Sequence, residues 1–106
     1  MRSKTLWVKE QYLKQIVSGK KTVEVRVAYT NLSGLVPGDV LRLNDQFTYR
    51  IVGIRRYPDF AALLANENPE AIAPGLNSHQ LLEALHALYP PEKEALGVLA
   101  FELQPA

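Results

Sequence analysis

Apolar positions along this chain recur with two different periods, and each change of period marks an element. Residues 5–9 form a short apolar-rich run suited to a strand. Over 10–18, Tyr12, Leu13, Ile16 and Val17 fall on one helical face, and Gly19 stands where a left-handed C-terminal cap is wanted. Over 21–27 three valines alternate with polar residues, which predicts a strand with one buried and one solvated face. Residues 31–39 carry loop chemistry ending in Pro37-Gly38. Two strands follow, 40–43 and 47–54, joined at Asn44-Asp45-Gln46 in a hairpin without the usual glycine. Gly53 marks a bulge or sharp bend in the second.

Helical spacing then returns. Asp59 caps a helix with Phe60, Leu63 and Leu64 inward, ending by Pro69. Asn77, three residues before Gln80, fits a reciprocal capping box for a helix that buries Leu81, Leu82, Leu85, Leu88 and Tyr89 and stops at Pro90-Pro91. Residues 97–103 read as a closing strand. The order β-α-β-β-β-α-α-β, with few helical crossovers between strands, predicts an α+β fold. In it a small mixed barrel of about five to six strands carries two to three flanking helices.

Composition changes this picture little. At 106 residues, 47% hydrophobic and 22% charged, the chain has the size and make-up of one globular domain, 1–106. Without cysteine it has no disulfide scaffold, thiolate zinc site or thiol nucleophile, which fits a reducing cytoplasm. No apolar run approaches a membrane span, and Lys9-Glu10 interrupts the N-terminal one too early for a secretory signal. The net charge of +1 is far from that of a protein that coats duplex nucleic acid. Its distribution is uneven, however, since Lys93 is the only cation beyond Arg56. A basic first half and an acidic second half predict one positive face if they segregate in space.

The candidate chemistry gathers at Lys20–Arg26. Thr22, Glu24 and Arg26 project together at intervals of about 7 Å along a strand, and Lys20 joins them from the helix end. The bland reading is a solvated face with a Glu24–Arg26 ion pair. Lys21 alternates with the valines and points inward, so it either snorkels at the barrel mouth or lines a polar cavity. His79 and His86, seven apart, lack the spacing of a helical metal pair, so no metal site is expected. Trp7 reads as core, and Arg55-Arg56 as a surface pair. Tyr57 and Tyr89 flank the site in the chain and could stack on a base or belong to the core.

The run Ile16-Val17-Ser18-Gly19-Lys20-Lys21-Thr22-Val23-Glu24-Val25-Arg26 resembles the signature of the ASCH domain family, and Gly38-Asp39-Val40-Leu41 its downstream Gly-Asp strand start. Tyr57-Pro58-Asp59-Phe60 and Leu85-His86-Ala87-Leu88-Tyr89-Pro90 extend the likeness over nearly the whole chain. The resemblance implies a PUA-like barrel with a cleft between barrel and helices, floored by the lysine–threonine strand, for RNA or a nucleotide-like ligand. It implies no cofactor. Its expected ligand contacts are Lys9, Lys20, Lys21, Thr22, Glu24, Arg26, Tyr57 and Tyr89. Some members resemble amidohydrolases acting on N4-acetylcytidine and others are linked to RNA cleavage, which makes an enzyme with Lys21 as base and Glu24 as acid–base partner the alternative. Against it, Glu24 stands where those amidohydrolases carry a threonine nucleophile, and no acid lies between Glu70 and Glu83 for their proton shuttle.

Overall fold

The computed structural model describes residues Met1–Ala106. Its elements run β1 (Ser3–Leu6), α1 (Glu10–Val17), β2 (Val23–Val27), α2 (Thr30–Ser33), β3 (Val40–Leu43), β4 (Phe47–Tyr57), α3 (Phe60–Asn66), α4 (Pro69–Ile72), α5 (Ser78–Leu88), α6 (Pro91–Glu94) and β5 (Val98–Pro105). The five strands form one mixed sheet in the order β1-β3-β4-β5-β2. β1 pairs with β3 in parallel; the other neighbours are antiparallel. β1 and β2 are therefore the free edges of a curled half-barrel, and what lies between them decides the site.

Local chemistry accounts for the ends of most elements. Gly19, at φ 83°, closes α1: the Lys20 N–H reaches Gln15 O and the Gly19 N–H reaches Ile16 O, the paired bonds of a Schellman end. Asp59 caps α3 through the Ala62 N–H, and Asn77 and Gln80 cap α5 reciprocally. Asn44 and Asp45 both have positive φ, and Gln46 N–H bonds Leu43 O. That is a type I′ turn made without glycine. The register between β4 and β5 shifts between Ile51 and Gly53, the bulge expected there.

The sheet carries a core on each face. Inside the curl pack Leu13 and Ile16 of α1 with Leu41, Leu43, Ile51 and Phe101. Outside, α3 and α5 lay Phe60, Leu63, Leu81 and Leu85 on Val23, Val25, Val27, Val98 and Ala100. This corrects the expected solvated face of β2. Glu24 and Arg26 pair with Phe101 and Leu99, so they lie on the inner face of the curl, and Glu24 is buried.

Other expectations also change. β1 ends at Leu6, which leaves Trp7 65% exposed rather than in the core. Leu88 is 60% exposed because the apolar stripe of α5 runs past the core. Three one-turn helices, α2, α4 and α6, lie where loops or helix ends are expected, too short for any apolar period to register. The basic and acidic halves interleave, since β5 lies between β4 and β2. Arg55 of β4 binds Glu67 and Glu102, and Arg56 donates to Leu96 O. No helix is long and apolar enough to cross a membrane.

Candidate nucleic-acid interface

Between the free edge of β2, the start of α1 and the flank of α5 opens a cleft of about 650 Å³. Arg26 spans the gap between the two sheet edges, with Nη2 donating to Trp7 O at 2.8 Å. At its base lies an ionic chain. Lys21 Nζ donates to Val23 O and Ile72 O, both at 2.7 Å, and stands 3.1 Å from Glu24 Oε1. Glu24 Oε2 accepts from Arg26 Nε at 2.7 Å. Lys21 is 4% exposed and Glu24 7%.

The turn at Gly19 explains this meeting. Regular alternation would put Lys21 and Glu24 on opposite faces. The strand, however, begins only at Val23, and the two preceding residues are held elsewhere. Lys21 N–H bonds Gln15 O and Thr22 N–H bonds Ala71 O, so Lys21 is free to turn under the strand toward α4. A lysine ammonium has three donors. Two carbonyls take two of them and the Glu24 carboxylate stands at ion-pair distance, so Lys21 is built into the wall of the cleft.

The walls are aromatic and the rim is cationic. Tyr12, Tyr29 and Tyr89 line the interior, and Trp7 and Leu88 stand at the lip. Lys93 Nζ lies 5.8 Å from the centre of the Tyr29 ring, and Lys21 Nζ 5.7 Å from that of Tyr12. Lys9 and Lys93 make no ion pair. With Lys21 and Arg26 they set four cations against one carboxylate, which is already shared. Burial pushes the Tyr89 hydroxyl above its ordinary range; Arg26 opposes that shift and Glu24 reinforces it.

The lip is held from below by Asn44. Its amide accepts from Val8 N–H at 2.8 Å and donates to Val8 O at 2.9 Å, pinning the segment that carries Trp7 and Lys9 to the β3–β4 turn. Asn44→Ala is expected to cost about 1–2 kcal/mol, since a buried residue in two hydrogen bonds is lost and Val8 keeps two unmatched groups. Chemical denaturation measures the loss, and a red-shifted Trp7 emission would report the loosened lip.

Of the residues singled out in the sequence, Lys9, Lys21, Glu24, Arg26 and Tyr89 line the cleft. Lys20 and Thr22 are exposed and lie outside it. Tyr57 is on the outer face near α3, where its hydroxyl donates to the Glu67 carboxylate beside Arg55. His79 and His86 each face a single glutamate, Glu83 and Glu94, away from the cleft. Sequence reasoning missed Trp7, Tyr12, Tyr29 and Lys93 as cleft residues. Only Trp7 carried a signal, because Lys9-Glu10 cuts its apolar run short.

A curled five-stranded mixed sheet with α1 packed inside the curl, α3 and α5 outside it, and a cleft at its open seam defines a PUA-like α+β half-barrel. The chain belongs to the ASCH domain family, whose sequence pattern matches residues 6–106. Among solved structures it is similar to the crystal structure of the hypothetical protein PH0355, at 28% identity and TM-score 0.92 with all of both chains covered. It is also similar to the solution structure of the protein PF0455 from Pyrococcus furiosus, at 29% identity and TM-score 0.80, covering 99% of this chain and 97% of that one. The ASCH domain from Lactobacillus crispatus shares the fold at 11% identity and TM-score 0.58, over 98% of this chain and 79% of its own. No curated protein matches the chain.

Proposed function

We propose that the cleft binds single-stranded RNA or a nucleotide-like ligand. The observation that carries this reading is the pairing of exposed Trp7 and three tyrosines with two cations, Lys9 and Lys93, that no carboxylate neutralises. Aromatic faces take bases by stacking, and free cations take phosphates. Membership of a family associated with RNA supports the same reading. Arg26 at the mouth is already paired with Glu24, and Lys21 holds Glu24 in place instead of meeting the ligand. The alternative of an enzyme gains no support, because Lys21 donates to two main-chain carbonyls, Glu24 is paired on both oxygens and Thr22 is outside the cleft.

Trp7, the only tryptophan, provides the readout. A short mixed-sequence single-stranded RNA is expected to quench its fluorescence on titration, and log K should fall with log salt at a slope of about −1.4 if Lys9 and Lys93 each neutralise one phosphate. Lys9→Ala with Lys93→Ala should flatten that slope toward zero. A quench that is salt-independent and unchanged in the double variant would sink the idea.

A further inference from the structure

β2 is an edge strand, and its register fixes which of its main-chain groups look into the cleft. Leu103 N–H bonds Thr22 O, and Ala28 N–H bonds Gly97 O. Groups that bond across an antiparallel pair recur at every second residue, so Thr22, Glu24, Arg26 and Ala28 point toward β5. The main-chain groups of Val23, Val25 and Val27 therefore point away from it, toward the open side. Val23 O is taken by Lys21 Nζ, and Val27 O by the Tyr29 N–H at 2.8 Å.

Val25 is left between them. It lines the cleft, is only 7% exposed, and neither its N–H nor its C=O has a partner in the protein. Buried main-chain groups of native proteins are almost always paired, so an unpaired donor and acceptor side by side in a cleft wall mark a place where a ligand completes the pairing.

We propose that the Val25 N–H and C=O read the hydrogen-bonding edge of the ligand's base, as one adjacent donor–acceptor pair. This rests on the nucleotide-binding reading of the cleft and specifies how it holds the base. A nucleobase offers the complementary pair, such as the amino group and ring nitrogen of adenine or cytosine. An added peptide strand would need the neighbouring groups as well. Of those, the Val23 and Val27 carbonyls are already taken by Lys21 and Tyr29, so a single planar ring at Val25 fits better than a strand.

The test is amide and carbonyl NMR on the wild-type protein, with adenosine and cytidine 5′-monophosphates, their N6,N6- and N4,N4-dimethyl derivatives, and ribose 5-phosphate. The expected result is a large shift of the Val25 N–H and C=O resonances with an unmodified nucleotide but not with ribose 5-phosphate. Dimethylation of that nucleotide should weaken binding roughly tenfold or more, the cost of losing a bidentate base contact. If the nucleotides move the Trp7 indole while Val25 stays still and the dimethyl forms bind equally well, the cleft binds nucleotides and the Val25 assignment is wrong. If no nucleotide moves any cleft resonance, the assignment fails together with the reading it rests on.

Discussion

Glu24→Ala is expected to lower folding stability by about 3 kcal/mol, as removal of one partner from a buried ion pair does elsewhere. Glu24 is the shared anion of the site: without it Lys21 keeps its charge in a 4% exposed position with only two carbonyls, and Arg26 loses the contact that orients it. Lys21→Met should cost a similar amount for the converse reason, because Glu24 is then buried with Arg26 alone. The double variant Lys21→Met, Glu24→Ala should cost less than the sum of the singles by about 1–3 kcal/mol, since neither charge is left stranded. Urea denaturation of the four proteins measures the coupling. Single costs below about 1 kcal/mol that simply add would describe a solvated pair and contradict the buried chain.

The second large effect belongs to the outer face. Glu67 is nearly buried at the end of α3 and accepts from Arg55 Nε at 2.6 Å, from Arg55 Nη2 at 2.9 Å and from the Tyr57 hydroxyl. The Arg55 hydrogen bonds hold its pKa below the usual glutamate range, against the opposing effect of burial. A carboxyl whose pKa is lower folded than unfolded stabilises above the unfolded value, about 4.3, and loses that contribution as pH falls through the folded one. Glu67→Ala is therefore expected to cost about 2 kcal/mol at neutral pH, the scale of hydrogen bonds to a charged group. The difference from wild type should shrink steadily below about pH 4. Asp39, whose pKa is lowered by the Arg2 and Val36 N–H groups, is present in both proteins and cancels in the comparison. A gap that widens on acidification would refute the assignment.

Much of this architecture was legible because local chemistry decides it. Gly19, Asp59, Asn77 and Gln80 end or begin helices for reasons within a few residues of themselves. The valine alternation of β2 marked Val23, Val25 and Val27 as buried, as they are. What stayed hidden depends on the rest of the fold. Glu24 sits on the inner face of a curled sheet, and no period in β2 reveals that its polar side is covered as well. Lys21 meets Glu24 through the turn after α1 and the Ile72 carbonyl of α4, a one-turn helix invisible to periodicity. Tyr57 and Tyr89 looked equivalent in the sequence. The sheet order sends the first to the Arg55–Glu67 pair and leaves only the second in the cleft. The unpaired groups of Val25 belong to the backbone, so no residue type could announce them.

The central claim is that the cleft at the seam of the half-barrel is where RNA or a nucleotide binds. Mapping amide and indole shifts of the whole protein on adding a short single-stranded RNA tests this most directly. The prediction is a continuous footprint over Trp7, Lys9, Val25, Leu88 and Tyr89, strongest at the Trp7 indole. Shifts gathered instead on the exposed sheet positions Arg42, Thr48 and Arg50, with the cleft resonances unmoved, would contradict it.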